Sequence, residues 1–324
     1  MNEHASGMDE AVPNLVKQVI AMGFTLTLPL AVLLLWLLVR GWRPRLVALA
    51  LIPTMLALYA HHVEPRLLTV KSHAVRVCGG GLPGTLRAGV VSDVHLGLFG
   101  NAMPMDRIAA RLSELDLDLL LMPGDFTYHP EPEALPALFG PLGALDVPAY
   151  AVLGNHDVGI PGPDYTGALT ETLEGLGVTV LYPGESVFSE GGKYLRIVGL
   201  RDLYQVDRRD VPLGLPEDGS PMATILLEHN PDAARRGGLG RYELMVAGHT
   251  HGGQVYIPGV TCALTFACDT LRTGYLDSPA GRLFVTQGTG MVGLPIRFMV
   301  PPRIDVLELT ITRCPAAGRK AGDA

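Results

Sequence analysis

The sequence predicts an α/β domain carried behind an N-terminal membrane region, and three observations lead there. From about Pro65 onward, short apolar runs alternate with Gly/Pro turns and with helical stretches such as Met105 to Leu115 and Tyr165 to Leu176. Glycine (39) and proline (26) are plentiful, as sharp turns at many strand ends require. Ahead of this region, Val19 to Val39 is an uncharged apolar run, long enough for a bilayer core that takes about 20 helical residues. A chain of 324 residues, 48% hydrophobic, holds one substantial core plus an appendage. The expected division is a membrane region over 1–64, a catalytic domain over 65–313 and a small, polar, disordered tail over 314–324.

The apolar run from Val19 is longer than the core of a signal peptide, and no small-residue cleavage site follows it, so a retained span is the reading. Arg40, Arg43 and Arg45 separate it from a second apolar run, Leu46 to Ala60, which is short for a span and ends at His61 and His62. Two spans joined by a basic cytoplasmic turn place the domain outside the cytoplasm, because positive loops stay inside. A second run lying along the interface places it inside. The residues leave both open.

Net charge is −7, which argues against a nucleic-acid partner, since such partners select a basic face. The four cysteines, Cys78, Cys262, Cys268 and Cys314, form no CxxC pair, which sets aside zinc-knuckle and redox motifs. Cys262 and Cys268 read as two buried thiols, with a disulfide between them as the alternative.

Five apolar runs end in polar clusters. Leu86 to Ser92 leads to Asp93-Val94-His95, and Leu117 to Met122 to Pro123-Gly124-Asp125. Val147 to Leu153 leads to Gly154-Asn155-His156-Asp157, Ala223 to Leu227 to Glu228-His229, and Leu244 to Ala247 to Gly248-His249-Thr250-His251. In extended backbone alternate side chains share a side, which would let Asp93 and His95 reach one ion. Polar residues gathered at the carboxyl ends of strands describe a crevice where open α/β folds bind ligands. Mixed carboxylate and imidazole donors suit Mn, Fe or Zn, and the absence of thiolates sets aside a soft-metal site.

The series DVH, GD, GNHD, a lone histidine and GHTH resembles the signature of the calcineurin-like metallophosphoesterases over roughly Leu86 to Leu309. The longer forms GHTHGGQV at Gly248 to Val255 and GLPIRF at Gly293 to Phe298, followed by Pro301-Pro302, resemble its membrane-associated bacterial branch, which includes UDP-2,3-diacylglucosamine pyrophosphohydrolases. The resemblance implies a two-sheet β-sandwich flanked by helices and two divalent cations, manganese foremost. It implies that Asp93, His95 and His251 hold one cation, that Asn155, His229 and His249 hold the other, and that Asp125 bridges them. Two cations about 3.5–4 Å apart acidify a shared water and clamp both oxygens of an in-line displacement at phosphorus. It further implies that His156 donates a proton or hydrogen bond to the leaving oxygen, with Asp157 as the acid that steadies it. The substrate would be a phosphorylated small molecule or lipid, its phosphodiester or pyrophosphate cleaved at the membrane. Soluble substrates and a non-catalytic binding module are the alternatives, the second set aside by an intact ligand set.

Outside these motifs, His129 reads as a loop residue, and Arg201 and Arg297 as either phosphate binders or salt-bridge partners.

Overall fold

The computed structural model describes residues 14–79, 81–205, 222–235, 241–261, 272–278 and 281–313. The Cys262–Cys268 pair and the expected tail over 314–324 lie outside them.

The chain opens with helices α1 (Asn14–Thr25), α2 (Thr27–Val39) and α3 (Pro44–Leu58), the last running on through a π-helical turn, Tyr59–Val63, and a 3-10 turn, Glu64–Arg66. Leu15–Val39 and Pro44–Arg66 are both long and apolar enough to cross a membrane, by length and composition. The second is therefore longer than its apolar run suggested. His61, His62 and Glu64 interrupt the hydrophobic pattern without interrupting the helical backbone. The first likewise begins upstream of Val19, with Lys17 inside it.

Next come β1 (Thr69–Cys78), β2 (Gly84–Val90), β3 (Leu96–Gly97), α4 (Met105–Ser113), β4 (Leu119–Pro123), β5 (Thr127–Tyr128), α5 (Leu135–Phe139), β6 (Ala149–Val152), α6 (Thr166–Gly175) and β7 (Val178–Val180). They are followed by β8 (Gly184–Glu190), β9 (Lys193–Gly199), β10 (Ala223–Leu227), β11 (Leu244–Ala247), β12 (Gly274–Ser278), β13 (Gly281–Val285) and β14 (Arg303–Thr312). One six-stranded sheet has the order β1-β14-β2-β4-β6-β7, the other β12-β13-β11-β10-β9-β8, and β3 and β5 form a small ladder. Each large sheet contains a run of parallel strands: β2, β4, β6 and the edge strand β7 in the first, β9, β10, β11 and β13 in the second.

The two sheets face each other across a shared core. Leu86, Ala88, Leu119 and Leu121 from one meet Ile197, Ile225, Leu227 and Val246 from the other. Alternate residues face the opposite way: Leu120 and Met122 pack with Ile108 and Leu112 of α4, and Leu226 packs with Met245 and Val285. Central strands buried on both faces explain why they read as unbroken apolar runs rather than as alternations.

The helical hairpin is latched to the sandwich through the GLPIRF segment. The Glu64 carboxylate, almost fully buried, accepts hydrogen bonds from the backbone N–H groups of Met299 and Val300. The Arg297 N–H donates to the Ala60 carbonyl (2.9 Å), His61 Nδ1 meets the Pro295 carbonyl (2.7 Å), and Asn101 donates to both His61 O and Pro295 O. Phe24 of α1 stacks on the His61 ring.

Ile225 sits at the centre of the inter-sheet core with no solvent exposure. Ile225→Ala is expected to destabilise the sandwich by about 2–5 kcal/mol, through lost burial and the cavity left behind. Urea unfolding in detergent, followed by circular dichroism, checks it; a change below about 0.5 kcal/mol, the size of an ordinary surface substitution, would contradict this packing.

Candidate metal centre

Five strands deliver the polar clusters to one place. Asp93, His95, Asp125 and His251 each offer a ligand atom, and these atoms all lie within 4.8 Å of one another; Asp125, His229 and His249 satisfy the same test. Asp125 belongs to both groups. Its Oδ2 lies 3.3 Å from His95 Nε2 and 3.0 Å from His229 Nε2, while its Oδ1 accepts from the His156 N–H. Asn155 joins the second group with its Oδ1 3.0 Å from His249 Nδ1, and its amide donates to the Ile160 carbonyl, which aims the oxygen inward.

The route by which Asp93 and His95 converge differs from the extended-strand expectation. Strand β2 ends at Val90, and both residues lie in the loop beyond it with φ of 52° and 48°. Asp125 (55°), His249 (70°) and His251 (50°) share this left-handed backbone, which costs a non-glycine residue on the order of 1 kcal/mol. Tertiary contacts hold them there. The Asp93 N–H donates to Gly124 O, the His95 N–H to Asp125 O and the His249 N–H to Asp93 Oδ1, while Asp93 O accepts from the Gly290 N–H.

Two glycines make the approach physically possible. A Cβ on Gly154 would stand 2.2 Å from Asp125 Oδ1, and one on Gly248 2.4 Å from Asp93 Oδ2. Neither glycine needs an unusual φ; the space itself is what the missing side chain provides.

The donor set fits a divalent cation on structural grounds. His95 Nδ1 faces the Thr127 carbonyl (3.2 Å) and His229 Nδ1 the Pro123 carbonyl (2.8 Å). A carbonyl only accepts, so each Nδ1 carries a hydrogen and each Nε2 is the nitrogen turned inward, as in metal-ligating histidines. His95 Nε2 and His251 Nε2 converge at 3.0 Å, and Asp93 Oδ2 is buried with no hydrogen-bond partner among the described residues. Two inward-facing ring nitrogens and an orphaned carboxylate oxygen are reconciled by positive charge between them.

The electrostatics agree. Burial pushes the His95 and His229 imidazoles down, but Asp125, charge and hydrogen bond together, outweighs it and holds both above the ordinary range. Burial favours a neutral Asp125, yet His229, His156 and His95 pull its carboxyl well below the usual value. Burial raises Asp93. Burial and the neighbouring imidazoles leave His249 neutral, pushed down to about 3, and lower His251 as well.

The two residues expected to act on the leaving group are placed differently from each other. His156 is buried, its ring 5.0 Å from that of His95 and 5.4 Å from that of Tyr128. Asp157 is fully buried, and both its oxygens accept from backbone: Phe126 N, Thr127 N and Gly154 N, with the Thr127 hydroxyl added. Burial raises its carboxyl to about 6. It ties the GD loop, which carries Asp125, to the GNHD loop, which carries His156.

Arg297 is held by backbone. Fully buried, it donates to the carbonyls of Gly290, Val300 and Gln287, and burial lowers it to about 10. Arg201 is exposed beyond β9. Sequence reasoning passed over Tyr128, whose ring lies against both His95 and His156, and Lys17, whose ammonium is 5.2 Å from the Tyr128 ring centre. Their signals were a tyrosine three residues past Asp125 and a single cation just before an apolar run.

Two measurements test this geometry. Gly154→Ala is expected to weaken Mn binding by about tenfold or more by displacing the Asp125 carboxylate, whereas Gly100→Ala, facing open space, leaves it unchanged. Because His95 and His229 hold protons above their ordinary range, Mn uptake near neutral pH is expected to release protons, and affinity to rise with pH. Calorimetry in buffers of different ionisation enthalpy counts them; a count of zero would contradict the assignment.

Comparison with known proteins places this geometry. The calcineurin-like phosphoesterase family matches residues 86–253, more than half of the chain. The metallophosphoesterase YkuE of Bacillus subtilis is 28% identical over 266 residues, covering 78% of this chain and 90% of its own. Phosphodiesterase YaeI of Escherichia coli is 26% identical over 258 residues, covering 78% and 92%. A transmembrane protein with a metallophosphoesterase domain from Danio rerio is 29% identical over 230 residues, covering 65% of this chain and 50% of that one. With that match and its clustered Asp and His donors, the chain belongs to the calcineurin-like phosphoesterase family and is a metal-dependent hydrolase of phosphoester bonds.

Proposed function

We propose that this protein cleaves a phosphodiester or pyrophosphate bond in a lipid-linked substrate of the UDP-diacylglucosamine type, at the cell membrane, with two divalent cations of which Mn is the first choice. The observation that carries the lipid reading is a single shared segment. Residues 289–300 accept the hairpin at Arg297, Met299 and Val300, and the same segment holds the Asp93 loop through Thr289 N to Ser92 O (3.1 Å) and Gly290 N to Asp93 O (2.6 Å). Exposed apolar side chains surround the latch, among them Val63, Leu67, Ile257, Leu294 and Met299, which supports a rim lying against the bilayer.

In this reading Asp93, His95 and His251 hold one cation, Asn155, His229 and His249 the other, and Asp125 both. Such a pair supplies an acidified water and neutralises charge at phosphorus. His156 donates a proton from its ring to the leaving oxygen. Asp157 acts one step back, keeping the loops that carry Asp125 and His156 at a fixed separation. The basic turn of Arg40, Arg43 and Arg45 stays in the cytoplasm and sets the catalytic domain on the other face.

The test is hydrolysis of bis-p-nitrophenyl phosphate, p-nitrophenyl phosphate and a UDP-linked diacyl sugar by the detergent-solubilised protein, with Mn or with chelator. Turnover is expected only with metal, and fastest for the lipid nucleotide. His156→Ala is expected to lose roughly 10²–10⁴ in kcat while retaining its Mn. Equal rates on soluble and lipid diesters would remove the lipid reading; loss of Mn in His156→Ala would remove the proton-donor assignment.

A further inference from the structure

The backbone of His156 is fixed by its loop. Its N–H donates to Asp125 Oδ1 (3.0 Å), and it lies in a turn closed by the Asp157 and Val158 N–H groups, which donate to the Gly154 carbonyl (3.1 and 3.3 Å). The orientation of its ring depends on what surrounds it. That ring is buried and meets two others edge to face: His95 at 5.0 Å and Tyr128 at 5.4 Å, with interplanar angles of 80° and 72°. Tyr128 also closes on His95, at 5.6 Å and 89°. The three rings thus pack pairwise in the T-shaped arrangement that aromatic quadrupoles favour. His95 is a cation ligand and His156 serves the leaving oxygen, which leaves Tyr128 as the member without a task.

Tyr128 is itself held at several points. Its hydroxyl accepts from the Gly293 N–H (3.1 Å), and its carbonyl accepts from the Leu98 N–H (2.8 Å) where β5 pairs with β3. Its ring shares an apolar cluster with Phe99, Met291 and Ala21, and the Lys17 ammonium stands 5.2 Å from the ring centre. Ala21 and Lys17 both belong to α1. The Tyr128 ring is fully buried, so it acts on the chemistry only through its neighbours. In a close-packed interior the space it fills is closed to the His156 ring, whose orientations are limited accordingly.

We propose that Tyr128 is a positioning residue for proton donation: its ring, seated by α1 and by Gly293, confines the His156 ring to the orientation that serves the leaving oxygen. This assignment rests on the reading of His156 as the proton donor. Rate is sensitive to such placement, since a displacement of about 1 Å in a reacting group costs up to about a hundredfold. The first apolar helix then contributes to turnover without touching substrate, because Ala21 and Lys17 supply part of the seat in which Tyr128 rests.

A double-mutant cycle tests this on the full-length, Mn-loaded protein in detergent, with bis-p-nitrophenyl phosphate as substrate. Tyr128→Leu is expected to lower kcat by about tenfold or more, with KM within about threefold of wild type and Mn content unchanged. Tyr128→Phe, which keeps the ring and loses only the hydroxyl, is expected to stay within about threefold of wild type in kcat. In a His156→Ala background, Tyr128→Leu is expected to change kcat by less than about twofold, because the group it positions is gone. Tyr128→Met, a flexible side chain closer in volume, takes the place of Tyr128→Leu in the cycle if the latter does not fold. An equal loss in both backgrounds overturns the proposal, since packing that acts independently of His156 is additive. So does a kcat within about twofold of wild type in Tyr128→Leu alone, and so does loss of Mn in that variant, which would make the ring a support for His95. Failure of the proton-donor reading is seen apart from these, as wild-type kcat in His156→Ala alone, and takes the proposal with it.

Discussion

The site depends on one carboxylate serving two clusters. Asp125 faces His95 and His229 with one oxygen and the His156 amide with the other, so three other loops must arrive within hydrogen-bond distance of a single side chain. In a buried setting that is a demanding arrangement, since an unpaired carboxylate there is costly and repulsion between Asp93 and Asp125 adds to it. The surrounding imidazoles, and the cations this family uses, offset that cost. Asp157 enforces the spacing from behind by fastening the two loops on which Asp125 and His156 ride.

The parallel centre of each sheet serves the same end. Strands β2, β4 and β6 end side by side, as do β10 and β11 in the facing sheet, and the ligand loops leave from those ends. Because the sheets share a core, the two sets of loops meet at one edge of the sandwich. Arg297 then extends the arrangement outward, donating to two carbonyls of the loop beside Asp93, those of Gln287 and Gly290, and to that of Val300, while its own amide holds the helical hairpin.

Much of this was legible in the sequence, for a physical reason. Strands buried on both faces are continuous apolar runs, and a polar cluster at the end of each run stands out against them; hence Ala223–Leu227 and Leu244–Ala247 were read with their observed bounds. The geometry of the ligands was less legible. An extended backbone would have let Asp93 and His95 share an ion, and the structure reaches the same convergence through left-handed residues fixed by contacts with Gly124, Asp125 and Gly290. The roles of Arg297, Asp157, Tyr128 and Lys17 were not legible, because each is defined by neighbours distant in the chain. Lys17 and Tyr128 are more than a hundred residues apart, and no local pattern marks their meeting. The second apolar helix was underread because polar residues at Ala60's C-terminal side end a hydrophobic count without ending a helix.

Left-handed backbone at Asp93, His95, Asp125, His249 and His251 has an implication for how such a centre can vary. Asp, Asn and His are the residue types, glycine apart, that most readily adopt that conformation. They are also the oxygen and imidazole donors that hard and borderline cations favour. The alphabet at these positions is thus filtered twice, once by coordination and once by torsion. Glutamate or cysteine would pass the first filter for some metals and fail the second. Retuning the metal preference of this scaffold by exchanging ligands therefore meets a conformational barrier before it meets a chemical one, and the more tractable route lies in the groups that orient the ligands.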